Sequence, residues 1–279
     1  MLLLALDTTT RPGSIALVRD AHLLASASGD AGTTHAERLP GEIVRMLTDA
    51  GVELSAIDAF GVAAGPGSFT GLRIGIATVQ GLAFALNRPV VAVSCLDALA
   101  RIALAEAAGS GDRAPLLAAW MDAQRSEVFA ALYDPVSDVG TADVQTSGVP
   151  TADARASAVS PSDAPMSGFQ VIDGPVSERP EPVLRRWQTT MTLRRIWLAG
   201  DGVDRYRDRL VEHLGHRLAI VEPLPPLAPV IAGMALRAIA AGEGGPPHAV
   251  RPIYIRRPDA ELARDRQRGS AVTGSRDVQ

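Results

Sequence analysis

An eleven-residue run, Gly65-Pro66-Gly67-Ser68-Phe69-Thr70-Gly71-Leu72-Arg73-Ile74-Gly75, links a short apolar stretch at 59–64 to a longer apolar stretch at 72–86. A buried strand that ends in glycine and feeds a helix is a unit of a layered α/β fold. Gly65, Gly67 and Gly71 allow close backbone approach in such a turn. Ser68 or Thr70 is placed to cap the helix, whose free N–H groups attract an anion. The run is neither G-x-G-x-x-G with an acidic partner nor a Walker A sequence. An anion-binding loop and a tight packing turn both stay open.

The surrounding pattern repeats in rhythm. Apolar runs at 2–6, 14–18 and 22–27 predict a three-stranded meander. Helical spacing follows over 35–50, with Leu39, Ile43 and Met46 on one face, and Gly51 as its stop. A strand at 89–93 and an Ala-rich helix at 97–108 complete a first unit. A second begins near Pro115: a hairpin of strands at 116–121 and 127–133, a strand at 196–199, helices over 203–214 and 227–241, and a short strand at 253–255. No close internal sequence repeat accompanies this. We therefore expect a first lobe at 1–109 and a second at 110–258. The second carries a partly disordered insertion at about 135–195, and a disordered tail follows at 259–279. The stretch 150–168 is Ala, Ser, Asp, Pro and Thr with hardly a large apolar side chain. Its deletion is expected to leave the fold intact.

Composition removes several function classes. The chain has 279 residues and a net charge of −4, so no global basic field draws it to nucleic acid. All 27 basic residues are arginine, which excludes a P-loop NTPase and Schiff-base chemistry. The single cysteine, Cys95, excludes an intrachain disulfide and a Cys-rich metal site, and its apolar neighbours suit a buried inert thiol. The apolar runs fall short of a bilayer span, and Met1–Leu6 lacks the marks of a secretory signal. A cytoplasmic protein without membrane contact is the default expectation.

Four places could carry chemistry. Asp7-Thr8-Thr9-Thr10 closes the first strand; its donors suit phosphate oxygens and its carboxylate a hydrated Mg²⁺, or the turn satisfies itself. His35 opens a helix, but position 39 is Leu, so the i, i+4 metal pair is missing; His213 and His216 lack a third partner. In the helix at 72–86, Arg73, Gln80 and Asn87 form one narrow polar stripe, and the rest is apolar or small. Such a helix is buried on more than one side, within its own lobe or against a partner. Finally, Arg185-Arg186-Trp187, Arg194-Arg195, and Arg251, Arg256 and Arg257 around Tyr254 suit RNA by charge and stacking, or are a solvated rim.

Together, Leu4-Ala5-Leu6-Asp7-Thr8-Thr9 and the run 65–75 resemble the bacterial TsaB (YeaZ) family. Gly81-Leu82-Ala83, Met121-Asp122-Ala123-Gln124-Arg125 and Pro252-Ile253-Tyr254-Ile255-Arg256 add to the likeness. It is close over 1–133, loose over 196–257, and lost over about 135–195. The resemblance implies an α/β fold of the actin-like, sugar-kinase and Hsp70 type (RNase H-like) with two related lobes. It implies no catalysis by the chain alone and no metal. The role would be that of a scaffold for TsaD, which makes N6-threonylcarbamoyladenosine beside the anticodon of tRNA, with the ATPase TsaE as a further partner. A nucleotide site, intact or vestigial, would comprise Asp7, Thr8, Thr9, Gly65, Gly67, Ser68, Thr70 and Gly71. Gly200-Asp201-Gly202 is a weak candidate for its second half. No cofactor is expected for the chain itself, with ATP and Mg²⁺ as cofactors of the complex.

The partner surface is expected on Leu39, Ile43, Met46, Leu72, Ile76, Val79 and Ala83, which would also serve a homodimer when TsaD is absent. A stand-alone phosphotransferase of the same fold is the alternative, and needs a strong ATP site. A glycoprotease-type metallopeptidase needs metal ligands.

Overall fold

The computed structural model describes residues 1–135, 168–190 and 194–256. Strands β1 (Leu2–Asp7), β2 (Ser14–Arg19) and β3 (His22–Ser28) form an antiparallel meander. β4 (Ala59–Gly65) and β5 (Val90–Ser94) extend it in parallel, in the order β3-β2-β1-β4-β5. The second sheet repeats this plan with β6 (Leu116–Asp122), β7 (Val128–Pro135), β8 (Phe169–Glu178), β9 (Ile196–Ala199) and β10 (Leu218–Ile220), in the order β10-β9-β6-β7-β8. Helices α1 (His35–Asp49), α2 (Phe69–Leu86) and α3 (Cys95–Gly109) follow β3, β4 and β5. Likewise α4 (Pro180–Thr190), α5 (Val203–Leu214) and α6 (Leu227–Ala240) follow β8, β9 and β10. This doubled plan is the two-lobed actin-like α/β architecture.

Side-chain alternation builds the layers. In β1, Leu2, Leu4 and Leu6 face a core shared with α1 and α2, while Leu3 and Ala5 face a core between the sheets. In β6, Leu117, Ala119 and Met121 face that same middle core, and Leu116, Ala118 and Trp120 face α4 and α5. Both strands are covered on both faces, so they read as continuous apolar runs rather than alternating ones.

The middle layer is α3 and α6, and it crosses the lobe boundary expected at 109/110. α3 packs chiefly on β6 and β9 of the second sheet, and α6 on β1, β2 and β4 of the first. Each lobe's last helix thus covers its neighbour's sheet. An apolar helix carries no mark of which sheet will take it.

Three further differences have local causes. Residues 253–255 form no strand; the chain there is a strap, with the Ile253 N–H donating to the Ala64 carbonyl at 2.6 Å. β8 and α4 lie inside the stretch read as an insertion. β8 was illegible because polar residues and Gly174-Pro175 break its pattern. β10 is only three residues long. The segment 150–167 and the tail 259–279 lie outside the described residues. α2 is long and apolar enough to cross a membrane by length and composition. Its Leu72, Ile76, Val79 and Ala83 nevertheless pack onto the first sheet as core.

Candidate functional site

The two glycine-rich turns meet at one end of the sheets. β1 delivers Asp7, which is 2% exposed, to the turn before β2. Its carboxylate accepts hydrogen bonds from the Thr9 N–H at 2.8 Å, the Thr9 hydroxyl at 2.6 Å and the Thr10 hydroxyl at 3.0 Å. Burial raises the Asp7 pKa, and the Thr9 and Thr10 hydrogen bonds oppose that rise. Thr8 turns the other way and donates its hydroxyl to the Gly71 carbonyl at 2.7 Å. The Ser68 N–H donates to the Thr9 carbonyl at 3.0 Å, and the Ser68 hydroxyl caps the Gly71 N–H at 3.2 Å.

This interlock explains the glycines. A Cβ on Gly71 would fall 1.9 Å from the Thr8 carbonyl oxygen, and one on Gly75 2.2 Å from the Thr8 hydroxyl. Asp7, Thr8, Thr9, Gly65, Gly67, Ser68 and Gly71 interlock here, and the threonine hydroxyls are spent on the protein itself. Thr70 lies exposed. Cys95 donates its thiol to the Thr9 hydroxyl at 3.4 Å, and burial pushes its pKa far up, which keeps it protonated. His35 is a latch: one ring nitrogen meets the Thr10 carbonyl at 3.0 Å and the other the Arg38 guanidinium at 2.7 Å. Burial and the Arg38 charge hold its pKa low.

Gly200-Asp201-Gly202 faces this turn across a cleft of about 750 Å³. Gly200 (φ +144°) is required there, since a Cβ would lie 2.1 Å from the Trp120 carbonyl oxygen. The Asp201 carboxylate accepts from the Asp122 N–H at 3.2 Å, and Asp122 pairs with Arg205 at 3.0 Å. Solvent reaches Asp201, yet the enclosing cleft, with Asp122 and Asp7 nearby, pushes its pKa up to about 6. Asp7, Asp201, Asp204 and Glu222 line the cleft beside Val221, Leu224 and Leu227, and no lining residue is basic. A polyphosphate would meet carboxylates there and would need a cation between. Among the described residues, no group of three or more His, Cys, Asp and Glu is placed to hold a metal.

The residues expected to meet a partner lie buried within the first lobe itself. Leu39 (2% exposed), Ile43 (5%), Met46 (6%), Leu72 (1%), Ile76 (6%), Val79 (0%) and Ala83 (0%) are already covered by the chain's own first sheet. Side chains with no surface left have none to give a partner. The opposite faces of the same helices are open: Phe84 is 82% exposed and Val44 65%. Ala77, Gly81 and Ala85 lie exposed around Phe84, and a Cβ on Gly81 would meet nothing within 4 Å. The helical spacing of Ala77, Gly81, Phe84 and Ala85 was the available signal, masked by the stronger apolar stripe beside it.

The doubled sheets and interlocked turns define a two-lobed α/β protein of actin-like type. A family model described as tRNA N6-adenosine threonylcarbamoyltransferase, TsaD, matches residues 29–154. The chain is 38% identical over 130 residues to the tRNA threonylcarbamoyladenosine biosynthesis protein TsaB of Haemophilus influenzae, covering 46% of this chain and 51% of that one. The Escherichia coli protein of the same name is 36% identical over 133 residues, covering 48% and 55%. The chain thus spans about half the length of the curated relatives it matches. The solved structure of YeaZ from Pseudomonas aeruginosa superposes with a TM-score of 0.64 at 32% identity, covering 91% of this chain and 99% of that one. A second solved structure from Pseudomonas aeruginosa, described as an uncharacterized protein with similarity to peptidase YeaZ, gives a TM-score of 0.66 at the same identity and coverage. The chain belongs to the TsaB (YeaZ) family.

Proposed function

We propose that this chain is a non-catalytic subunit in the synthesis of N6-threonylcarbamoyladenosine beside the anticodon of tRNA, where it pairs with and activates TsaD. The observation that carries the reading is the exposed face of α2. Phe84 stands 82% exposed on α2 with Ala77, Gly81 and Ala85 exposed at helical spacing from it, and on α1 Val44 is 65% exposed. Small residues let a partner helix approach closely, and Phe84 supplies an apolar anchor of the kind that dominates interfaces. The same face serves a homodimer when TsaD is absent. TsaE joins the pair as the ATPase, and tRNA and ATP with Mg²⁺ enter through the assembly, in the cytoplasm.

Two features support a supporting role over catalysis. The hydroxyls around Asp7 are committed to internal hydrogen bonds. His35 is held by Thr10 and Arg38 with Leu39 in the core, so no histidine pair forms on α1. The test is genetic. A bacterium lacking its own TsaB, supplied with this chain, should regain the modified nucleoside in digested tRNA as read by mass spectrometry. Failure of the stably expressed chain to restore it alongside its own TsaD would reject the reading.

A further inference from the structure

Beside the glycine turn lies a second exposed feature, which the pairing role leaves unused. The strap after α6 crosses the end of the first sheet, pinned where Ile253 donates to Ala64 and where Arg256 pairs with Glu127 at 3.0 Å. It lays the Tyr254 ring against Phe69, the first residue of α2, with centroids 5.4 Å apart and planes 32° from parallel. The Arg73 guanidinium stacks over Phe69 at 4.0 Å and donates to the Tyr254 hydroxyl at 3.4 Å. Phe69 is 39% exposed and Tyr254 38%, so both rings stay partly open to solvent beside the Arg73 guanidinium. Arg251 lies exposed on the same strap. From Arg251 onward the sequence holds seven Arg against four acidic residues, in a chain whose net charge is −4.

We propose that the Phe69–Tyr254 ring pair, with Arg73 packed against it, is a stacking platform for an unpaired base of RNA. Exposed rings give a base its π-face contact without reading its identity, and flanking guanidiniums attract the backbone phosphates. Arg73, on the face of Phe69, and Arg251, exposed on the strap, put positive charge at this end of the lobe. A purely apolar protein contact would not need them. The choice of RNA among polyanions rests on the proposed role in tRNA modification.

The test uses the full chain and a fluorescently labelled RNA stem-loop, read by anisotropy, with a fully paired RNA of equal length as control. The stem-loop should bind more tightly than the duplex. Tyr254→Ala and Phe69→Ala should each weaken it about tenfold, the scale of losing one base–aromatic stack. Tyr254→Phe should retain binding, which separates stacking from the hydroxyl. Arg73→Gln should weaken binding and flatten its salt dependence. Circular dichroism confirms that each variant is folded. No binding, equal affinity for stem-loop and duplex, or ring variants that bind like the wild type would overturn the proposal. So would a Tyr254→Ala chain that keeps RNA but loses capture of TsaD, since the platform would then be a protein contact. RNA binding through the rings by a chain that never captures TsaD would uphold the platform and sink the pairing role instead.

Discussion

α2 and α5 occupy equivalent places in the two halves, each following the first parallel strand of its sheet and covering the sheet's outer face. Their buried sides are alike: Leu72, Ile76 and Val79 on one, Val203, Tyr206 and Leu210 on the other. Their outer sides are opposites. α5 exposes Asp204, Arg205, Asp208, Arg209 and Glu212, and its Arg207 pairs with Asp204 and Glu222. α2 exposes Ala77, Gly81, Phe84 and Ala85. Charges on α5 keep water and exclude close contact; the small apolar face of α2 has no such protection. Identical topology therefore does not fix which surface meets a partner. Outward-facing side chains do.

Placing a charge on the buried side of α2 should have the largest effect. Ile76→Glu puts a carboxylate in the core without a counterion and should cost about 3–5 kcal/mol, enough to unfold much of the population in urea titrations. A stable Ile76→Glu chain that only loses TsaD would mean this side is the interface after all. On the outer side, Phe84→Glu should leave stability within about 0.5 kcal/mol of wild type. It should weaken capture of TsaD by about 2 kcal/mol or more, as for a central anchor residue. The matched change on α5 is Val211→Glu, at a side chain 53% exposed. It should alter neither the urea midpoint nor capture, and a loss of capture equal to that of Phe84→Glu would erase the contrast.

A small, pH-dependent effect lies in the cleft between the halves. The folded-state pKa of Asp201, about 6, stands above its ordinary 3.8. Between those values the folded chain holds the proton more tightly than the unfolded chain. Stability from this group is thus greatest below about pH 4 and falls as pH rises through about 6. Because solvent reaches the carboxylate, the effect should stay below about 1 kcal/mol. Asp201→Asn should flatten that part of the melting-temperature profile, measured in EDTA. An unchanged slope would show that the cleft does not perturb Asp201.

The first half was more legible than the second. β1, β4 and α1 declared themselves because their apolar periods are unbroken and their ends carry Asp7, Gly65 and Gly51. β8 did not, since Gly174-Pro175 and polar residues break its alternation, and α4 shows only a short apolar stripe, Val183, Leu184 and Trp187, inside a stretch read as an insertion. The candidate site was half legible. The family resemblance put the run 65–75 and Asp7–Thr9 in one site, but which way each hydroxyl points depends on the Gly71 and Gly75 contacts with Thr8. The side of α2 that packs inward was equally hidden, because Ile76 and Phe84 are both apolar and only the sheet decides between them.

Copurification from a host expressing its own TsaD tests the central claim most directly, with the tagged chain as wild type, Phe84→Glu and Val211→Glu side by side. The outer-face account predicts TsaD with the wild type and Val211→Glu, and none above background with a folded Phe84→Glu. Equal recovery of TsaD by all three folded chains would contradict it.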